Sequence, residues 1–304
     1  MESKILNTKF LPLVSIVIPS YNHAKFIGKA LKSVIEQTFT NWEAIIVDNH
    51  STDDTEKILS KFNDNRIKYL KINNNGIIAK SRNFGIKEAK GEWIAFLDSD
   101  DWWTKDKLEI CFKDINENVD FIYHNLEIID GKSKLFFNRK KFKGRQLNKP
   151  ILKNLLLGVI KEGNAIGNSS AIVRKHLMVK IGGISENKNL VASEDYNTWL
   201  KIAQITDKFK YINKSLGFYL IHGASSQKKN LSIPHRQAVN DFMNVFNSQQ
   251  KLDLEVKWKY MSGCYNDFIN NHAEAKQDFN FVLKNGSFNL KFRSLLKMFL
   301  IRFK

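Results

Sequence analysis

Trp93-Ile94-Ala95-Phe96-Leu97 runs straight into Asp98-Ser99-Asp100-Asp101, so an apolar pentapeptide is halted by three carboxylates within four residues. The pattern predicts a buried strand whose carboxyl end opens into a charged cup. Like charges this close repel, and burying them unpaired costs several kcal/mol per ion. Something positive should therefore sit among them. Carboxylate oxygens without sulfur or clustered imidazole suit a hard divalent cation, Mg²⁺ or Mn²⁺, which usually binds through one or two carboxylates together with a substrate's phosphates. The alternative is that these acids cap the helix that follows, where negative charge is also favoured.

The segments before this run alternate in period. Val14-Ser15-Ile16-Val17-Ile18-Pro19 is β-branched and closed by a proline that suits a strand margin. Asn22 is placed to cap a helix with Phe26, Ile27, Ala30, Leu31, Val34 and Ile35 at helical spacing. A second strand spans Glu43 to Val47 and ends at Asp48, and Ser51-Thr52-Asp53-Asp54 opens another helix with a capping-box pattern. Arg66 to Ile72 gives a third strand, Asn73 to Gly76 a turn, and a further helix is closed by Gly91. Strands and helices alternating in this way predict an α/β, Rossmann-like, mostly parallel sheet with helices on both faces. Ligands of such sheets bind beyond the carboxyl ends of the strands. Pro19 to Asn22, Asp48 and Asp98 to Asp101 all fall at such ends.

Composition narrows the class. The 304 residues are 43% hydrophobic, enough for a real core in about two domains, and carry 48 basic against 31 acidic side chains, a net charge of +17. Such an excess favours polyanionic partners, whether nucleic acid, anionic lipid or phosphorylated substrates. No zinc-finger spacing, RNP-like segment or heptad-linked basic region supports nucleic acid, so no nucleic-acid partner is expected. Met1 to Phe10 lacks a signal peptide's apolar core, and no run of about 18 apolar residues marks a membrane span. The expected location is cytoplasmic. Cys111 and Cys264 stand in no metal or redox spacing and read as ordinary thiols.

Beyond Asp101 the pattern loosens. Thr104 caps a helix, Phe121 to Tyr123 and Ala171 to Val173 read as strands, and Ile181-Gly182-Gly183 reads as a turn. Gly131 to Lys149 carries eight cations and no acid, a solvated basic loop or an anion-facing surface. Ser193-Glu194-Asp195-Tyr196 starts a helix and forms a second acidic site. Tyr219 to His222 ends a strand, followed by a polar loop to Asn230. From about Ile233 the chain reads as all helical. It closes on Asn289 to Lys304, where aromatic and leucine residues share one face among five cations. That segment is either a terminal helix docked on its own domain or an interfacial helix on anionic lipid, which would make the protein peripheral at the inner face of the plasma membrane.

Taken in order, these motifs resemble glycosyltransferase family 2, inverting enzymes of the GT-A fold that use nucleotide-sugar donors. The resemblance rests on Val14 to Asn22, on Ile45 to Asp53, on Gly76 with Ser81-Arg82-Asn83-Phe84-Gly85, and on Phe96 to Asp101. These cover about residues 13–103. Glu194-Asp195-Tyr196-Asn197-Thr198-Trp199-Leu200 resembles the family's second acidic motif. The resemblance implies a GT-A domain with a nucleotide-sugar half at 1–103, an acceptor half at 104–232 and a helical region at 233–304. It implies that Pro19, Ser20, Tyr21 and Asn22 line the nucleotide pocket and that Asp48 accepts from the base, a uracil if the donor is a uridine diphosphate sugar. Arg82 would lie near the base or the diphosphate, Asp98 and Ser99 would face the ribose or donor sugar, and Asp100 would hold the metal. Asp195 would be the general base, with Glu194 in support. His222 would complete the metal site, as a histidine from the second half does in some GT-A enzymes, although a lone histidine is also an ordinary structural residue. His50 stands where the family often has glycine.

The reaction implied is a single displacement from a nucleotide sugar to a glycan, lipid-linked or protein hydroxyl, in cell-surface glycan synthesis. Two rivals are kept. A nucleotidyltransferase would need an early glycine-rich, lysine-bearing phosphate loop, which is not seen; a binding module without catalysis would have no need of both acidic motifs.

Overall fold

The computed structural model describes residues 13–113, 115–130, 140–142, 156, 158, 163–164, 166–222 and 230–303. These fall into two compact units, one from the described parts of 1–148, 166–184 and 206–221, the other from those of 149–165, 185–205 and 222–304.

In the first unit, β1 (Val14–Ser20), β2 (Trp42–Asp48), β3 (Ile67–Lys71) and β4 (Trp93–Phe96) lie parallel in the order β3-β2-β1-β4. Between them run α1 (Ala24–Ile35), α2 (Thr55–Leu59) and α3 (Ile78–Glu88), so the expected alternation is what the chain forms. Every residue of β1 is buried, and successive side chains point to opposite faces. Ile16 and Ile18 join Ile27, Ala30, Leu31 and Val34 of α1 in one cluster. Each of these isoleucine, leucine and valine side chains contributes about 1.5–3 kcal/mol on burial. Val17 faces the other way, against Gly85 of α3, where a Cβ would come within 2.5 Å of the valine Cγ1. Helices thus cover both faces, and register brings Ser20 opposite Asp48.

Three local expectations are corrected. Asn22 does not cap α1: His23 precedes the helix without a side-chain cap. Asn22 instead sits at φ 51°, a conformation asparagine tolerates better than most residues. Its N–H donates to Ser51 Oγ (2.8 Å) and its Oδ1 accepts from the Thr52 N–H (2.8 Å). The capping box at the start of α2 does not form either. Asp53 serves two helices, its Oδ1 accepting from the Thr55 N–H and its Oδ2 from the Ala24 N–H at the start of α1, each at 3.0 Å. Gly91 does not close α3, whose C-cap is Ala89. It lies where a Cβ would come within 2.6 Å of the Ser15 backbone nitrogen, and its N–H donates to the buried Ser15 hydroxyl.

The sheet continues with β5 (Trp102–Trp103), β6 (Phe121–Asp130), β7 (Lys140–Phe142), β8 (Ile172–Arg174) and β9 (Phe209–Ile221), in the order β4-β8-β6-β9-β5 with β7 beside β6. This half is mixed: β6 and β9 run parallel, while β8, β5 and β7 pair antiparallel with their neighbours. The helices α4 (Lys107–Phe112) and α5 (Lys175–Lys180) belong to it. Of the basic stretch 131–149 only 140–142 is described, as β7; the rest, and the polar loop at 223–229, lie outside the described residues.

The second unit is helical, with α6 (Glu194–Ile205), α7 (Ser232–Val239), α8 (Ser248–Phe268), α9 (His272–Asn285) and α10 (Phe288–Ile301). Asn247 starts α8 with a capping box, its side chain accepting from the Gln250 N–H while Gln250 accepts from the Asn247 N–H. Gly263 lets α8 approach α9, since a Cβ there would lie 2.8 Å from the Phe279 ring. Ala275, Phe279 and Ile301 form the core of the last three helices, with Tyr260, Cys264 and Met298 against it. Among the described residues no helix is long and apolar enough to cross a membrane.

Candidate functional site

The carboxyl ends of β1, β2 and β4 present the residues singled out in the sequence, and each is fixed differently. Asp48, last in β2, is wholly buried. Its Oδ1 accepts from Ser51 Oγ (2.5 Å), and its Oδ2 accepts from the Ser51 N–H (2.9 Å) and the Tyr69 hydroxyl (3.2 Å). A carboxylate has about four lone-pair directions, so one remains. Burial, and then the Asp48 charge, push the Tyr69 phenol well above its ordinary pKa, which keeps it a donor. The turn that follows passes through His50 at φ 53°. That is the left-handed conformation a glycine would take without strain.

Pro19 and Ser20 end β1 in the interior, and the Ser20 hydroxyl has no hydrogen-bond partner among the described residues. Tyr21 is exposed. Asn22 ties this turn to the one after β2 through Ser51 and Thr52.

The carboxylates after β4 are separated by their partners. Asp98 accepts from Arg82 Nη2 (2.7 Å) and from Asn168 Nδ2 (2.9 Å), and its N–H donates to Ser169 Oγ (3.0 Å). Arg82, on α3, is buried, whereas about a quarter of the Asp98 side chain is exposed (26%). Asp101 is buried; it accepts from Ser169 Oγ (2.5 Å) and from the Leu220 N–H of β9 (3.0 Å). Burial first, and then the neighbouring Asp100 and Asp98, raise its pKa well above the ordinary value. Trp103 secures the same 3-10 turn (Asn168–Ser170) by donating its indole N–H to the Ser169 carbonyl (2.8 Å).

Ser99 is buried, and its Oγ lies 2.6 Å from His23 Nδ1. Ligand atoms of His23 and Asp100 fall within 4.8 Å of each other, close enough to share a cation. His23 is the residue that sequence reasoning missed. The available signal was its place in the turn after β1, one residue beyond Asn22. A carboxylate with an imidazole fits Mn²⁺ well and Mg²⁺ less well, since nitrogen donors suit the transition metal. His222 follows directly on Ile221, the last residue of β9, two positions past the Leu220 N–H held by Asp101.

In the helical unit Glu194 and Asp195 occupy the first turn of α6. Asp195 accepts from the Asn164 amide (3.1 and 3.3 Å) and from the Tyr196 N–H (2.7 Å). Glu194 is buried, and its carbonyl accepts from the Thr198 hydroxyl.

A different kind of charge lies deeper in the sheet unit. Lys107 is wholly buried on α4, its ammonium 3.4 Å from the Trp103 ring centroid and without a hydrogen-bond partner among the described residues. Burial lowers its pKa to about 7.

Residues 15–178, over half of the chain, match glycosyl transferase family 2. Chondroitin synthase of Escherichia coli is 31% identical over 261 residues, 83% of this chain and 34% of that protein. UDP-Glc:alpha-D-GlcNAc-diphosphoundecaprenol beta-1,3-glucosyltransferase WfgD, also of Escherichia coli, is 43% identical over 122 residues, 40% of this chain and 48% of that protein. The chain therefore spans half or less of the length of these curated relatives. Among solved structures, the mannosyltransferase PcManGT from Pyrobaculum calidifontis, in complex with GDP-Man and Mn²⁺, superposes with a TM-score of 0.62 at 16% identity, over 96% of this chain and 81% of that one. That likeness is one of fold, and the α/β GT-A fold with an added helical region is the architecture of this chain.

Proposed function

The chain belongs to glycosyl transferase family 2, and we propose that it moves a sugar from a uridine diphosphate donor to an acceptor hydroxyl, with inversion at the anomeric carbon. The observation that carries this reading is the convergence at the strand ends, where Asp98 is held by Arg82 beside the His23 and Asp100 pair. A polysaccharide synthase and an enzyme acting on a lipid-linked diphosphate sugar among the relatives favour a glycan or lipid-linked acceptor. Such an acceptor would draw the enzyme to the inner face of the plasma membrane. Residues 1–103 form the donor half, 104–232 the acceptor half, and 233–304 an appended helical region.

Asp195 removes the acceptor proton as the hydroxyl oxygen bonds to the anomeric carbon and the nucleoside diphosphate leaves from the opposite face. The Asn164 amide and the Tyr196 N–H aim its carboxylate. A carboxylate suffices as base because the hydroxyl acidifies while the new bond forms. Glu194, about 100° further round the helix, supports the acceptor. Asp48 offers its remaining lone pair to the base N–H. Pro19, Ser20, Tyr21 and Asn22 flank the nucleotide, and Ser99 and Asp98 orient the ribose or donor sugar. Asp100, His23 and His222 would hold Mn²⁺ or Mg²⁺, which when bound supplies positive charge against the diphosphate.

Slow hydrolysis of a panel of uridine, guanosine and thymidine diphosphate sugars, with and without Mn²⁺, tests the reading, because it reports the donor without the acceptor. Metal-dependent release of uridine diphosphate from one of them, abolished in Asp100→Asn, is the expected result. Binding of a nucleotide sugar with no turnover under any condition would make the chain a binding module. Diphosphate release from a nucleoside triphosphate and a sugar phosphate would make it a nucleotidyltransferase.

A further inference from the structure

α10 is docked by one side and open on the other. Its inner side carries Ser294 and Ile301, both buried, with Met298 against the α9 core. Lys297 on this side donates to the buried Asp267 carboxylate at 3.1 Å. Outward stand Phe288, Phe292, Leu295, Leu296, Phe299 and Phe303, each between 52 and 83% exposed. With an advance of about 100° per residue, these six fall within an arc of about 100°. Lys291 and Arg302 lie along one margin of that stripe and Arg293 along the other. From Gly286 to Lys304 the chain has no acidic residue.

An apolar stripe this continuous on a soluble surface marks an interaction site, and its basic margins restrict the partner. Two copies of the helix face to face would set these cations against their own kind. A membrane with anionic headgroups accepts both features at once, the rings entering the acyl boundary and the cations meeting the headgroups. The helix cannot span: 14 residues rise about 21 Å against a hydrocarbon core of about 30 Å. We propose that α10 lies in the plane of an anionic membrane and holds the protein there by its outer face, while its inner face keeps it fixed to α8 and α9. This goes beyond the transferase reading and does not depend on it, since lipid binding is measured without donor or acceptor.

The test is co-sedimentation of the full chain with vesicles of phosphatidylcholine containing phosphatidylglycerol, against phosphatidylcholine alone. The parent should pellet with the anionic vesicles and be released as salt rises. Phe292→Gln with Phe299→Gln, and separately Lys291→Gln with Arg293→Gln and Arg302→Gln, should each lower the apparent partition coefficient by about tenfold or more. Neither set should alter the melting temperature, because these side chains point away from the core. A parent that stays in the supernatant, or variants that pellet as it does, would overturn the proposal. So would a concentration-dependent dimer in sedimentation velocity that the phenylalanine substitutions abolish, since that assigns the face to a second copy.

Discussion

The two acidic clusters of this chain are alike on paper and unlike in space. After β4, three carboxylates within four residues are sorted by fixed partners: Asp98 by Arg82 and Asn168, Asp101 by Ser169 and a strand amide, Asp100 by its place near His23. At the start of α6, two adjacent carboxylates are sorted by helix geometry, which turns Glu194 into the interior and leaves Asp195 partly exposed to accept from Asn164. Adjacency in sequence therefore says little about shared work. A carboxylate's role is set by what reaches it.

The sharpest break of this comparison lies in the second cluster. Asp195→Asn should lower the transfer rate by about 10²- to 10⁴-fold and leave the donor dissociation constant nearly unchanged, while Glu194→Gln should act on acceptor KM or on stability. Transfer rates and donor affinities of both variants decide this, and near-parental transfer in Asp195→Asn together with its loss in Glu194→Gln would reverse the roles.

The first cluster should respond in stability as well. Arg82→Ala strips a largely buried carboxylate of its cation, a loss of about 3 kcal/mol in urea denaturation. Replacing both partners, Arg82→Met with Asp98→Asn, should recover part of it. If the single and double variants are equally unstable, the pair is not what sorts Asp98.

Lys107 supplies the opposite case, a buried amine without a hydrogen-bond partner among the described residues. Its pKa in the folded chain is near 7 against an ordinary 10.5, so between those values the unfolded chain binds more protons and stability rises with pH. The slope should approach about 1.4 kcal/mol per pH unit. Lys107→Met should flatten it and raise stability at pH 7, as read from urea denaturation at pH 7 and pH 9. A slope that survives the substitution belongs to another group.

The strands and helices of the first hundred residues were legible because each is decided locally: β1 by a β-branched run, α1 by apolar spacing, β4 by five apolar residues in succession. What escaped is decided at a distance. Asn22 resembled a cap until a loop some 30 positions away took both its backbone and its side chain. Asp101 had no separate reading in the sequence because its two partners come from a turn 68 residues on and a strand 119 residues on. His23 escaped for the same reason, since nothing nearby in sequence pairs it with Ser99. The mixed half of the sheet was the least legible: the apolar run at Ala171 to Val173 marked the three-residue β8, but β5 has only two residues and no periodicity to read.

Asp53 carries one more consequence. The amino end of the first helix in an α/β sheet is a natural seat for phosphate, where unbonded amides and the helix dipole welcome negative charge. In this chain a carboxylate from the neighbouring loop already accepts the Ala24 amide. The seat is taken from within, and a second anion arriving there would meet repulsion in place of welcome. An anionic ligand at these strand ends must find its countercharge elsewhere, in guanidinium, imidazole or a cation brought in from solution.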